Sequence, residues 1–260
     1  MPVIAVTAEE RVPSGILTCA ADAESVVAAI AAIPAGHDVV LLSDDEDGRR
    51  AARSARLSVS QERIGLVHRD EPVTEFFIMA AAAHMLPSNA LGLVDGVLDA
   101  VRRASTTVAQ LSSVSSLERP APTVAQHLAG LMPNARFVVD WAERTVRQGD
   151  APDLPPGVAV VTAGSEKPVP GEVELAHDVP GRMELATDDG GRWRSSRWRE
   201  TTVLHVALEE IVAAALQDAG SGRSSRCPSC QRVGATRTCV FCQVGLTSQL
   251  PVDIANGAVA

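Results

Sequence analysis

Four of the chain's five cysteines lie near the C-terminus in two Cys-x2-Cys pairs, which are separated by eight residues. The first pair is Cys227 and Cys230, and the second is Cys239 and Cys242. Each pair forms a tight turn that directs both sulfurs to one point, so two pairs supply the four thiolates of a closed tetrahedral zinc site. The spacing predicts a structural zinc ion, because no ligand position is left for a reacting water. Two disulfides or a redox-active pair are the alternatives.

The rest of the chain has the composition of a globular protein, with 46% apolar residues. No basic region followed by an apolar run is visible near the N-terminus, as a signal peptide would require. The longest apolar run, residues 76–86, is about half as long as a membrane-spanning helix. We therefore expect a cytoplasmic protein without membrane contact, in which a reducing environment favours metal binding over disulfides.

Apolar runs that alternate with helical patterns before residue 88 predict an α/β fold. The continuous run at residues 37–44, "HDVVLLSD", is typical of a strand that is buried on both faces of a parallel sheet. Residues 88–148 have a helical pattern, which includes "ARFVVDWAERTVRQ" at 135–148, while the Ser/Thr-rich stretch at 105–122 is predicted as a frayed helix end or a loop. Residues 183–195 are predicted to form a hairpin around Asp189-Gly190.

The expected architecture is a layered, mostly parallel sheet with flanking helices, followed by a small C-terminal zinc ribbon. We expect three parts. Residues 1–150 form an α/β domain with a helical second half, residues 151–219 complete the body with a strand, a hairpin and a helix, and residues 220–260 form the ribbon tail. The oligomeric state does not follow from the sequence.

An arginine- and tryptophan-rich segment precedes the ribbon. Residues 192–237 carry eight arginines against four acidic residues, in a chain with a net charge of -9. Guanidinium groups pair with phosphates and indoles stack on unpaired bases, so this segment predicts contact with RNA or an RNA-containing assembly. The alternative is a hairpin strand whose Trp193 covers the core. The predicted contact residues are Arg192, Trp193, Arg194, Arg197, Trp198, Arg199, Arg226, Arg232 and Arg237.

Acidic residues follow two of the predicted strands, at the sheet edge where parallel sheets bind ligands. Glu9 or Glu10 follows the first strand, and Asp45 and Asp47 follow "VVLLS". Carboxylates gathered there can bind Mg²⁺. The run at residues 41–52, "LLSDDEDGRRAA", is similar to the acidic motif of Toprim domains, which implies a magnesium-dependent enzyme with Glu9, Asp45 and Asp47 at its site. The alternative is that these acids cap the following helix.

Two further resemblances cover other parts of the chain. The cysteine spacing is similar to the C-terminal ribbon of tRNA two-thiolation proteins of the PP-loop family, which implies a non-catalytic partner. Residues 16–84, with "AIAAIPAGHDVVLLSDDED" and "RIGLVHRDEPVTEFFIMAAAAH", look like the middle α/β domain of fatty-acid-kinase-type proteins. That resemblance carries over no catalytic residue. We assign the chain to none of the three families.

The leading functional prediction is a cytosolic zinc-ribbon adaptor that contacts RNA or a ribonucleoprotein through its basic tail and another protein through its acidic body. The alternatives are a Toprim-like enzyme acting on nucleic acid or nucleotide, for which alone Mg²⁺ is needed, and a non-catalytic scaffold subunit. The sequence favours a protein without catalytic activity, since the acids have a good capping role.

Overall fold

A computed structural model describes residues 3–7, 16–59, 61–132, 134–151, 153–169, 179, 181–186, 191–221 and 224–246. The strands are β1 (Val3–Val6), β2 (Leu17–Cys19), β3 (Val39–Ser43), β4 (Ile64–His68), β5 (Ser105–Leu111), β6 (Phe137–Asp140), β7 (Thr145–Gln148), β8 (Ala159–Gly164), β9 (Gly181–Ala186), β10 (Trp198–Leu204), β11 (Ser225–Arg226) and β12 (Val233–Gly234). The α-helices are α1 (Ala23–Ala31), α2 (Glu46–Ser58), α3 (Val73–His84), α4 (Val94–Arg103), α5 (Val124–Ala129) and α6 (Leu208–Gly220). Short 3-10 helices span Gln61–Arg63, Ser88–Leu93 and Gly191–Trp193.

The first sheet has four parallel strands in the order β2-β1-β3-β4. Strands β1 and β3 are buried along their whole length, as the continuous apolar run predicts. One face of the sheet packs on α1 and α2 through Ile4, Leu41, Val26 and Ala52. The connection from β1 leads to β2 on one side and the chain then returns to β3 on the other, so the strand order reverses between β1 and β3.

Helix α3 lies between the two sheets and contacts strands of both. Its aromatic and aliphatic side chains are buried on nearly all sides, so it has no solvent-facing stripe. Phe76, Phe77 and Met79 belong to one apolar core that joins Leu42 of the first sheet to Leu111 of the second. Helices α4 and α6 pack against α3 and close this layer.

The second sheet has six strands in the order β7-β6-β5-β10-β8-β9. All neighbours are antiparallel except β8 and β9, which are parallel. The prediction of a mixed α/β fold with parallel strands and flanking helices is confirmed. The single, mostly parallel sheet is corrected to one parallel sheet and one largely antiparallel sheet.

Three local predictions in the second half of the chain are wrong. Residues 135–148 form the hairpin of β6 and β7, and the first part of the Ser/Thr-rich stretch, residues 105–111, forms strand β5, while residues 112–122 form the predicted loop. The β-branched residues Val138, Val139, Thr106 and Thr107 favour strands, and an apolar run this short does not distinguish a buried strand from a helix. The predicted hairpin at 183–195 is replaced by β9, which pairs with β8. Residues 187–190 lie outside the described residues.

The second sheet takes β5 to β7 from before residue 150 and β8 to β10 from after it. The three-part division of the chain remains a prediction. Within the described ranges, no helix is long and apolar enough to cross a membrane.

Candidate functional sites

The four C-terminal cysteines converge on one point. Their sulfur atoms all lie within 4.8 Å of one another, with 3.3 Å between Cys227 and Cys242 and 3.6 Å between Cys230 and Cys239. A tetrahedral zinc ion with Zn–S bonds of about 2.3 Å places its sulfurs about 3.8 Å apart, so the cluster has the size that such an ion needs. The cysteines are not joined as disulfides. Four cysteines that can hold a metal ion are therefore present, as the spacing predicts.

The segment that carries the cysteines, residues 224–246 (the cysteine tail), is packed against the body. The Leu66 amide of the edge strand β4 donates to the Val240 carbonyl oxygen at 2.9 Å, and the Arg56 guanidinium donates to the Phe241 carbonyl. Val240 and Phe241 are buried and belong to the main core. The tail thus covers the outer edge of β4, which would otherwise expose unpaired backbone groups.

Close backbone approaches fix the tail on a second side. A Cβ at Gly92 would lie 1.8 Å from the Val233 carbonyl oxygen, and one at Gly96 would lie 2.5 Å from the Ala235 side chain. Only glycine permits these contacts without a shift of the backbone or of the neighbouring side chain. The tail therefore docks along the start of α4 as well as along β4.

Arg232 links the cysteine cluster to the first sheet. Its guanidinium donates two hydrogen bonds to Asp38, at 2.6 and 2.7 Å, and lies 4.3 Å from the centre of the Phe241 ring. Burial raises the pKa of the Cys230 thiol, but hydrogen bonds from the Arg232 amide and guanidinium outweigh it and lower that pKa to about 6. The arginine thus favours a thiolate in this cluster. Arg226 and Arg237, also predicted to contact RNA, are exposed on the tail.

The tryptophans of the 192–199 segment point into the core. Trp193 is 1% exposed and Trp198 is 2% exposed, so neither can stack on a base. The Trp193 indole donates to Glu200 at 2.6 Å. Arg194 pairs with Glu118 at the surface, Arg199 belongs to β10, and Arg197 is exposed. Of the two interpretations of this segment, the structure agrees with the one in which Trp193 covers the core.

A buried polar network fastens the start of α3 to the second sheet. The Glu200 carboxylate accepts from the Thr74 amide, the Thr74 hydroxyl and the Trp193 indole. The Thr202 hydroxyl lies 2.6 Å from that of Thr74 and 2.8 Å from that of Thr107, whose hydroxyl donates to Glu75. Burial raises the pKa of Glu200, and burial together with the Glu71 charge raises the pKa of Glu75 to about 7.

A second group of polar residues lies where β1 and β3 end, at the reversal of strand order where open α/β sheets bind ligands. The Thr7 hydroxyl donates to Asp44 at 3.1 Å. The other oxygen of Asp44 is buried without a hydrogen-bond partner. Burial, aided by the charge of Asp45, raises the pKa of Asp44 to about 6, while Thr7 and Arg192 oppose the rise.

Arg192, in the 3-10 helix before β10, acts on the charge of Asp44 and links this strand end to a tryptophan and an arginine in the turn between β6 and β7. Arg192 pairs with Asp70 at 2.6 Å and lies 4.7 Å from the centre of the Trp141 ring. The Arg144 guanidinium lies 3.5 Å from the same ring centre, and Trp141 donates to Glu71. Among described residues, Arg144 makes no ion pair. We call Thr7, Asp44, Asp70, Trp141, Arg144 and Arg192 the switch-point cluster.

The two described acids of the predicted magnesium site, Asp45 and Asp47, are each engaged within α2. Asp45 caps α2, and its carboxylate accepts from the Gly48 amide at 2.6 Å. Asp47 is exposed and pairs with Arg50 on the same helix. Glu9 and Glu10 lie outside the described residues. Of the acids, histidines and cysteines that the structure describes, only the four tail cysteines form a group able to hold a metal ion.

No protein family profile matches the chain, and no curated protein sequence matches it. Solved structures of DegV family proteins are similar to it. One from Eubacterium eligens, loaded with heptadecanoic acid, is 8% identical with a TM-score of 0.57, over 79% of this chain and 100% of that chain. One from Corynebacterium glutamicum is 12% identical with a TM-score of 0.55, over 80% and 99%. The fatty acid kinase B3 protein of Streptococcus pneumoniae, loaded with linoleic acid, is 10% identical with a TM-score of 0.51, over 79% and 100%. The fold is that of these structures.

This likeness overturns the functional prediction. The similar structures are those of fatty-acid-binding proteins, so the RNA-contacting zinc-ribbon adaptor and the Toprim-like nucleic-acid enzyme are both wrong. The predicted RNA or ribonucleoprotein partner is corrected with it. The scaffold alternative and the predicted protein partner stay predictions. The physical reason that the predicted RNA contact fails is that Trp193 and Trp198 are buried and cannot stack on bases.

Sequence reasoning missed the switch-point cluster as a unit. Asp44 was visible among the acids after β3, but its neighbours Asp45 and Asp47 were chosen for the metal site. Trp141 and Arg144 were assigned to a helix, whereas they lie in the turn between β6 and β7, where Arg144 has a φ of 53°. A strand prediction for residues 137–148 would have placed both side chains at a sheet end.

Proposed function

We propose that this chain binds a long-chain fatty acid and that the switch-point cluster binds its carboxylate. The fold likeness spans 99–100% of the similar chains and supports the ligand class. The observation that carries the proposal is the Arg144 guanidinium, which stacks on Trp141 beside Arg192 and has no described carboxylate within 4.0 Å, although Glu71 and Asp70 lie near enough to act on its charge. A guanidinium in this position pairs well with a carboxylate.

The acids of the cluster make the proposed binding depend on pH. Asp70 is already paired with Arg192, whereas one oxygen of Asp44 has no partner. Below a pH of about 6 Asp44 is protonated and uncharged, and above it the Asp44 charge repels a ligand carboxylate. Affinity for the fatty acid therefore rises as the pH falls through 6.

The first test is to titrate delipidated protein with heptadecanoic acid at pH 7.5 and follow the heat of binding. Arg144→Gln removes one charge-assisted hydrogen bond and should weaken binding about tenfold or more. Arg147→Gln on β7 is the matched control and should bind as the wild type does, because Arg147 pairs only loosely with Asp140, at 3.8 Å. Equal affinities of the wild type and Arg144→Gln would contradict the assigned site, and absence of binding would contradict the function.

The second test measures the same affinity at pH 5.5 and 7.5. The wild type should bind more tightly at pH 5.5, and Asp44→Asn should bind with nearly equal affinity at both because its side chain does not titrate. A wild-type affinity that increases with pH would exclude the proposed role of Asp44.

We also infer that Cys227, Cys230, Cys239 and Cys242 hold a structural zinc ion, which would make the cysteine tail a zinc ribbon. The convergence of four sulfurs supports this, because four thiolates at this spacing form the closed ligand set of a structural zinc ion. Elemental analysis of freshly purified protein should find one zinc per chain, both in the wild type and in Cys19→Ser. Paired disulfides and no stoichiometric metal would refute it.

A further inference from the structure

One side of the cysteine cluster opens to solvent. A groove of about 460 Å³ is lined by Cys230 and Cys242 together with Arg56, Arg63 and Arg232. Cys227 and Cys239 are buried on the opposite side. A small reagent therefore reaches two of the four sulfurs directly, and one of these, Cys230, lies 3.6 Å from the buried sulfur of Cys239.

We propose that Cys230 is a site of oxidation by hydroperoxides and that its oxidation releases the zinc and uncovers the β4 edge. The proposal rests on the zinc site inferred above. Arg232 lines the same groove as Cys230, and its guanidinium, held there by Asp38, can donate to the oxygen that leaves the peroxide.

The chemistry requires one hydroperoxide per disulfide. The Cys230 thiolate attacks the outer peroxide oxygen, the O–O bond breaks, and the leaving alkoxide takes a proton to become an alcohol. The Cys239 thiolate then attacks the sulfenic sulfur, an S–S bond forms, and hydroxide leaves and takes a proton to become water. Two electrons pass from the sulfurs to the peroxide, and zinc loses two of its four ligands.

Loss of the zinc affects β4 because the residue that pairs with this strand lies between two of the cysteines. Val240 lies between the ligands Cys239 and Cys242, and its carbonyl accepts the Leu66 amide. Once the turn at Cys239 relaxes, that hydrogen bond and the burial of Phe241 lose the support of the cluster, and the hydrogen bond from Arg56 to the Phe241 carbonyl is left to hold the segment. The edge of β4 then becomes accessible to pairing with another chain.

The test uses the full zinc-loaded chain and tert-butyl hydroperoxide, with Cys19→Ser as the matched control that removes the one cysteine outside the cluster. Zinc release is followed with a chromogenic chelator, the disulfide is mapped by peptide mass spectrometry, and hydrogen exchange at Leu66 is measured before and after treatment. We expect equal zinc release from both proteins, a Cys230–Cys239 disulfide, and at least a tenfold faster exchange at Leu66.

The outcomes separate the two proposals. Protein without stoichiometric zinc before treatment refutes the zinc site itself. Zinc-loaded protein that keeps its metal, or that loses it with only Cys227–Cys242 linked, refutes the oxidation of Cys230 and leaves the zinc site standing.

Arg232→Lys keeps a charge in the groove but loses the paired contact with Asp38, and it should release zinc more slowly at the same peroxide concentration. Release at the wild-type rate would remove Arg232 from the mechanism.

Discussion

The cysteine tail and the polar network at the start of α3 are both buried attachments, but they depend on different chemistry. The tail's ligating groups come from one short segment and meet through two local turns. The network joins Thr74 to Glu200 and Thr107 to Thr202, residues that lie far apart in the chain. A metal can thus assemble the tail locally, whereas the network forms only when the whole second sheet and α3 are in place. The tail should respond to metal and oxidants, and the network to pH and to loss of its buried side chains.

Removal of the metal should have the largest effect and should separate the two regions. Structural zinc binding contributes on the order of 10 kcal/mol in small zinc domains. A strong chelator should therefore make the tail sensitive to trypsin at Arg232 and Arg237, while the near-ultraviolet dichroism of Trp141 and Trp193 is retained. Added zinc should restore resistance. If the tryptophan signal disappears together with the tail, the two regions form one cooperative unit and the comparison fails.

Loss of the Trp193 indole should affect the network and spare the tail. Trp193→Ala removes a fully buried ring and leaves the Glu200 carboxylate without one of its three donors. Such a change lowers the free energy of unfolding by roughly 3–5 kcal/mol, which urea denaturation measures. The variant should still bind one zinc per chain.

Arg194→Ala is the matched control for this prediction, because Arg194 is the next residue in the chain and its side chain is exposed. Its pair with Glu118 is solvent-exposed on both sides, so the free energy of unfolding should change by only about 0.5 kcal/mol. A comparable loss in both variants would mean that the segment stabilises the protein through its surface contacts and not through the buried indole.

The same two regions show how far the sequence could be interpreted. The cysteine convergence was predictable because the ligands lie in one short segment and Cys-x2-Cys has few geometric solutions. The first sheet was predictable for a similar reason, since continuous apolar strands alternate with capped helices such as Asp45-capped α2. The second sheet was not, because β6 and β7 have an apolar pattern that suits a strand or a helix, and only pairing with β5 decides between them.

The switch-point cluster and the network were beyond sequence reasoning for a further reason. Arg and Trp near each other in sequence have the composition of a nucleic-acid groove whichever way they face. Trp193 turns inward because Glu200, seven residues away, is buried on β10 and accepts its N–H. Arg192 reaches Asp70 across more than one hundred residues. Local composition does not reveal such partners, so it predicted the residue types at a site without their orientation.

The smallest predicted effect concerns Glu75 and sharpens the pH side of the comparison. Burial and the nearby Glu71 charge raise the pKa of Glu75 from 4.5 to about 7 in the folded protein. The folded state therefore holds this proton more tightly than the unfolded state, and its stability falls as the pH rises from about 4.5 to 7. The loss is about 3 kcal/mol, because each unit of difference in pKa corresponds to about 1.4 kcal/mol. Glu75→Gln keeps an acceptor for Ser105 or Thr107 and cannot ionise, so its free energy of unfolding should change less between pH 5 and pH 8 than that of the wild type.

Glu143→Gln, at an exposed position in the turn before β7, should follow the wild-type curve. If Glu75→Gln loses as much stability as the wild type over this range, the proton on Glu75 does not hold α3 to the second sheet, and the pH response must be sought at Glu200 or Asp44, whose pKa values burial also raises.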